Sequence, residues 1–247
     1  MGACGNLCAM GFLRAARIDV PLSRIQEGYV ARLPAVRHLA RHPLDLSAPV
    51  TVLTGENGAG KSTLIEAIAT GMGFKPQGGT RNLDAPGIDD VSCLHEHLTL
   101  VRSRNPSDGY FLRGETHFNV AVAYGDEAPG DQHLNHMSHG ESLMQIIRHR
   151  FHGGGLFILD EPEAGLSVLR QLELLGHIAR MSTQGAQFII ATHSPVLMAI
   201  PRSALFEIGP GGIAPVDFRR AEAVQATEEF VADPEGTARY LLEGDRG

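Results

Sequence analysis

Gly55-Glu56-Asn57-Gly58-Ala59-Gly60-Lys61-Ser62, read directly after the apolar run Val50-Thr51-Val52-Leu53, decides the fold. The octet satisfies G-x-x-x-x-G-K-[ST], and its flanks are the ones that pattern requires. Upstream, the β-branched residues predict a buried strand. Downstream, Thr63-Leu64-Ile65-Glu66-Ala67-Ile68-Ala69 contains no breaker and predicts the start of a helix. Strand, glycine-rich turn and helix N-terminus together form an anion cradle. Glycines let backbone N–H groups converge on phosphate oxygens with no Cβ in the way, and the helix N-terminus adds partial positive charge. In this pattern Lys61 reaches the β- and γ-phosphates and the Ser62 hydroxyl binds Mg²⁺. The expected nucleotide-binding set is therefore Gly55, Glu56, Asn57, Gly58, Ala59, Gly60, Lys61, Ser62 and Thr63.

The rest of the composition sets bounds. A chain of 247 residues suits one α/β domain with a sizeable core. With 43% hydrophobic and 20% charged residues it belongs to the ordinary globular class rather than the disordered one. A formal net charge of −7 excludes a generally basic surface for nucleic acid but leaves room for a local basic patch. Cys4, Cys8 and Cys93 are odd in number and match no zinc spacing, which points to a reducing cytoplasm without a disulfide framework. No apolar run reaches bilayer length, and Met1 to Met10 lacks the pattern of a secretory signal. Residues 1–11 read as a flexible extension and 12–247 as a single domain, with Met1 and Met10 both open as the start.

Along the chain, Phe12 to Ile18 predicts an edge strand ended by Pro21, and Leu33 to Leu46 a connector with a short strand. Tyr29 either stacks on adenine or is a solvent-edge or core aromatic. Gly71 to Gly87 reads as a loop, with Gln77-Gly78-Gly79-Thr80-Arg81-Asn82 its most polar part, placed near the nucleotide. Val91 to Val101 shows helical periodicity, and His95 and His97 read as a solvated face, with metal ligation the other reading. After a turn at Asn105 to Gly109, Tyr110 to Arg113 predicts a strand that delivers Glu115. Phe118 to Tyr124 is a further apolar stretch and Gly125 to His133 an exposed loop.

Met137-Ser138-His139-Gly140-Glu141-Ser142 opens a helix, and Ser138 with Glu141 forms a capping box that accounts for both without any function. Leu156-Phe157-Ile158-Leu159-Asp160-Glu161-Pro162 reads as a parallel strand buried on both faces. Its two carboxylates stand at the C-terminal end, where ligands bind in open α/β sheets. Leu169, Leu172, Leu175 and Ile178 predict an amphipathic helix over Ser167 to Arg180. Gln187 to Thr192 is a second buried strand, with His193-Ser194-Pro195 at its end. Ala204 to Ile208 and Ile213 to Phe218 pair as a hairpin across Gly209 to Gly212, and Glu222 to Leu242 is helical, interrupted by Pro234.

Four signals thus stand in a fixed order: the phosphate loop, Ser138-His139-Gly140-Glu141, Asp160-Glu161, and His193. Together they resemble the ATP-binding-cassette (ABC) class of P-loop ATPases, with Ser138 to Glu141 a degenerate version of that class's signature. The resemblance runs from about residue 12 to residue 210. It implies a mixed central sheet flanked by helices, a smaller antiparallel β part and a much reduced helical subdomain. It implies that Asp160 holds Mg²⁺, that Glu161 polarises the attacking water, and that His193 contacts the γ-phosphate. Glu115 stands where the class has a glutamine that also serves the metal, and Gln77 competes for that role. The signature helix faces the γ-phosphate of an opposite subunit, so an ATP-dependent homodimer is implied, with Ser138 and Gly140 acting in trans. On that view a side chain at Gly140 would block the phosphate.

Leu64-Ile65-Glu66-Ala67-Ile68 after GENGAGKST resembles the chromosome-maintenance and double-strand-break-repair branch. Asp160 to Ser167 and Ala191 to Pro195 resemble small stand-alone bacterial "AAA family ATPase" proteins. Ser167 departs from the aspartate that usually ends the loop after the catalytic glutamate. Only about twenty residues separate Glu115 from Ser138, too few for a transporter-coupling subdomain or a coiled-coil arm. The expected function is Mg²⁺-dependent ATP hydrolysis by a soluble molecular switch, in DNA repair or genome maintenance, with DNA or a protein as partner and no membrane span. The alternatives are the nucleotide-binding subunit of an ABC transporter and a P-loop small-molecule kinase.

Overall fold

A computed structural model describes residues 11–80, 92–114 and 139–244. In chain order the strands are β1 (Leu13–Ile18), β2 (Leu44–Asp45), β3 (Val50–Gly55), β4 (Leu98–Arg102), β5 (Gly109–Arg113), β6 (Leu156–Asp160), β7 (Gln187–Ala191), β8 (Ala204–Gly209) and β9 (Gly212–Pro215). The main helices are α1 (Pro34–Leu39), α2 (Lys61–Gly71), α3 (Leu94–His97), α4 (His139–Arg150), α5 (Val168–Thr183), α6 (Pro195–Met198), α7 (Glu222–Ala232) and α8 (Pro234–Gly244).

Six strands make the main sheet in the order β5-β6-β7-β3-β8-β9. All neighbours are parallel except β8 and β9, which form the expected hairpin. Strands β6 and β7 are buried at every residue, as an all-apolar strand with helices on both faces must be. Two apolar clusters fill the space on either side. One packs α1 and α2 against Leu53, Phe111 and Ile158; the other packs α4 and α5 against Leu112, Phe157 and Phe188.

The second sheet is antiparallel, in the order β2-β1-β4. β1 is its centre and not the edge strand expected, because residues 98–102 pair with it from Leu13↔Arg102 to Ile18↔Leu98. Those residues had been expected to be helical. The helix instead ends at His97, and Leu98 and Leu100 fall on one face by strand alternation and pack on the first core. The partner strand overrides the local helical period. A helix, α1, also stands where a connector was expected, opened by Pro34 at its first position.

Gln187 ties the two sheets together. Its Oε1 accepts from Phe12 N (2.7 Å) and Leu13 N (2.8 Å), while Nε2 donates to Leu13 O (2.9 Å) and Leu46 O (2.6 Å). On α5 the buried stripe is Leu174 and Ile178, while Leu169 and Leu172 of the expected stripe are 78% and 50% exposed. Ser167 caps that helix through a bond from Arg170 N.

Candidate nucleotide-binding site

The phosphate loop runs from the C-terminal end of β3, at the middle of the sheet, into α2. Gly55 (φ +132°) and Gly60 (φ +99°) occupy backbone conformations that L side chains rarely adopt, and a Cβ at Gly55 would collide with Ile208 O. A Cβ at Gly60 would meet Leu33 Cβ at 3.2 Å, and Ala35 N donates to Ala59 O at 3.4 Å, so α1 braces the loop from outside.

Lys61 is 4% exposed, and its Nζ donates to Gly55 O (2.8 Å) and Glu56 O (2.9 Å). Burial pushes the Lys61 ammonium below its ordinary pKa, while Glu161, Asp160 and Glu163 pull it back up. Three carboxylates therefore face one buried cation. Strand register explains the convergence: Asp160 lies level with Ala191 and with Arg113, so the ends of β6 and β7 open beside the loop.

Glu161 has φ +49°, a left-handed conformation in a residue other than glycine, held by Glu161 N donating to Ala191 O at 2.9 Å. Such strain costs about 1–3 kcal/mol and persists only where its surroundings enforce it. His193 Nε2 lies 3.6 Å from Glu161 Oε1, too far for a hydrogen bond. That nitrogen is buried with no hydrogen-bond partner among the described residues.

Two residues not expected from the sequence hold this arrangement. Glu163 Oε1 accepts from His193 N at 2.7 Å, and its Oε2 is buried with no hydrogen-bond partner among the described residues. Gln171 accepts from Ser194 Oγ (2.7 Å) and donates to Leu166 O (3.0 Å), so the turn after β7 is tied to the loop after β6. A third carboxylate close behind Asp160-Glu161 was a visible signal for Glu163. Gln171 had none, because its partners lie 23 residues away and five residues back.

A cavity of about 310 Å³ is lined by Tyr29, Asn57, Lys61, Ser62, Thr63 and Glu161, among others. Tyr29 is 61% exposed and lines this cavity, which places its ring on the solvent edge. Gln77 is buried and does not line the cavity; Gly79, beside it, pairs with Phe111 of β5. Ser138 and Glu115 lie outside the described residues, as do Arg81 and Asn82. His139 opens α4. A Cβ at Gly140 would come within 3.1 Å of Gly165 O. Packing against the chain's own loop thus gives this glycine a reason that needs no opposing phosphate. Glu141 lines a separate cavity with Arg148 and Arg170.

Comparison with known proteins gives partial matches. Residues 35–119 match a family described as "AAA domain", and residues 118–199 one described as "AAA domain, putative AbiEii toxin, Type IV TA system". A ribose import ATP-binding protein of Cereibacter sphaeroides is 27% identical over 57% of this chain and 33% of its own length. A hemin import ATP-binding protein of Rhodopseudomonas palustris is 25% identical over 74% of this chain and 76% of its own. Among solved structures, the SMC head domain from Thermotoga maritima overlaps with a TM-score of 0.43 at 16% identity, covering 71% of this chain and 93% of that one. The chain spans about a third of the length of the first curated relatives it matches. Two adjoining stretches of the chain thus match AAA-domain families, one carrying the phosphate loop and the other carrying Asp160, Glu161 and His193.

Proposed function

We propose that the chain binds Mg²⁺ and ATP at this cavity, hydrolyses the γ-phosphate bond, and works as a switch that dimerises on ATP. The observation that carries the reading is that the phosphate loop, Lys61 and Glu161 line one cavity. Phosphoryl transfer depends on positioning and charge compensation more than on covalent chemistry. Lys61 exchanges the carbonyls of Gly55 and Glu56 for phosphate oxygens, a stronger charge-assisted bond. Glu161 orients the attacking water, and His193, whose Nε2 lies 3.6 Å from Glu161 Oε1, contacts the γ-phosphate. Tyr29 stacks on adenine.

The donor set fits Mg²⁺. Ser62 and Asp160 offer two hard oxygen donors. That suits an ion that keeps waters and phosphate oxygens as its remaining ligands. When bound, it neutralises charge on the β- and γ-phosphates. Ser138 to Glu141 of a second copy completes the site in trans, with the Gly140 N–H toward the phosphate.

The test is ATP binding by Lys61→Ala. Affinity should fall about 10- to 150-fold, the worth of one hydrogen bond to a charged group. Unchanged binding would refute the loop assignment.

A role in DNA repair or genome maintenance in the cytoplasm rests on the resemblance of residues 55–68. It requires that DNA bind or change turnover at low salt. A second reading, the energising subunit of an importer, is favoured by the relatives named as import ATP-binding proteins. No helix among the described residues is long and apolar enough to cross a membrane; copurification with a polytopic membrane protein is the test of this reading.

A further inference from the structure

Residues 11–48 carry six arginines and three carboxylates in a chain whose net charge is −7. Two of those arginines share one cavity. Arg37, His38, Arg41 and His42, on α1 and the turn after it, line a cavity of about 230 Å³ closed on its far side by Pro210, Gly211 and Gly212 of the β8–β9 turn. Neither Arg37 nor Arg41 forms an ion pair among the described residues, whereas Arg17, Arg113, Arg148 and Arg170 are each held by a carboxylate. The rings of His38 and His42 lie 5.3 Å apart. Gly212 (φ +111°) passes so close that a Cβ would meet His38 Nδ1 at 2.8 Å, so the glycine turn is fitted to the basic wall.

Basic residues at a helix C-terminus also offset the helix dipole. That accounts for the sign of the charge on a six-residue helix, but not for two guanidinium groups that face a cavity and have no ion-pair partner or lining carboxylate among the described residues.

We propose that this cavity is a second anion site, which takes the terminal phosphate or diphosphate of a small molecule. Two guanidinium forks match phosphate oxygens bidentately, and the imidazoles offer further hydrogen bonds. A recess closed by a turn suits a phosphate end group better than the continuous backbone of a polynucleotide. The site is mechanically linked to the phosphate loop. The opposite face of α1 presents Ala35 to Gly60, and the Ala35 N–H to Ala59 O. A ligand held on Arg37 and Arg41 therefore bears on the helix that braces the nucleotide loop.

The experiment titrates pyrophosphate by calorimetry into protein already saturated with ADP, which occupies the phosphate loop. The expected result is one pyrophosphate per chain. Its affinity should fall about tenfold or more in the Arg37→Ala/Arg41→Ala double variant, through loss of charge-assisted hydrogen bonds. The Arg37→Lys/Arg41→Lys variant should retain part of it. ADP affinity, measured separately, should be unchanged in both variants, which reports an intact fold and an intact phosphate loop. Pyrophosphate binding that disappears once ADP is present, or that survives the alanine pair, would overturn the proposal. So would binding of an unphosphorylated single-stranded oligonucleotide through these arginines while pyrophosphate fails to bind.

Discussion

Glu163→Ala removes the acceptor that fixes the turn carrying His193. The bond it deletes is short, 2.7 Å, with a charged acceptor. Hydrogen bonds to charged groups contribute about 1.5–3 kcal/mol. If all of that holds His193 against the γ-phosphate, kcat falls about 10- to 150-fold, at 1.4 kcal/mol per tenfold. The turn keeps two other ties, Thr192 N to Leu53 O at 3.0 Å and Ser194 Oγ to Gln171 Oε1 at 2.7 Å. The lower end, about tenfold, is therefore expected for the single variant. KM should move little, since no bond from the phosphate loop is removed. Glu163→Gln keeps a carbonyl oxygen facing the amide and should lose only about fivefold, the difference between a charged and a neutral acceptor. Glu163→Ala/Gln171→Ala frees both ties, and its loss should exceed the product of the single losses, because the residues share one turn. The assay is steady-state phosphate release, with thermal unfolding run alongside. A Glu163→Ala protein with wild-type kcat and unchanged Tm would refute the positioning role.

Three further outcomes are expected. Glu161→Gln should bind ATP without turning it over and accumulate as a dimer, read as a doubled mass by light scattering; a monomer under saturating ATP counts against the switch. Lys61→Ala should show no measurable turnover in a phosphate-release assay, and retained hydrolysis would contradict the assignment of the loop. Gln187→Leu leaves the N–H groups of Phe12 and Leu13 without their acceptor. It should cost about 2–4 kcal/mol and lower Tm by roughly 5–15 °C, with ATP affinity unchanged; a Tm shift under 2 °C, far below the estimate, would mean the clamp is redundant.

Much of the local structure around the candidate site was legible in the sequence, and the reason is locality. A phosphate loop is one strand, one turn and one helix start, so Gly55 to Thr63 carry the whole instruction within nine consecutive residues. An all-apolar run ending in Asp160-Glu161 carries its burial and its polarity in the same segment. The hairpin of β8 and β9 was legible too, because its turn lies between its strands.

What the sequence did not determine is set by partners far along the chain. Whether β1 is an edge depends on residues 98–102 arriving beside it, and their own helical period is overruled by that pairing. The 3.6 Å approach of His193 to Glu161 follows from the register of β6 on β7, which no local pattern encodes. The same holds for the clasp of Glu163 on the His193 amide and of Gln187 on β1. Local chemistry chose the residues that can cradle a triphosphate. Only the assembled sheet, in which buried backbone and side-chain groups must find partners, decided which distant side chains hold them in place.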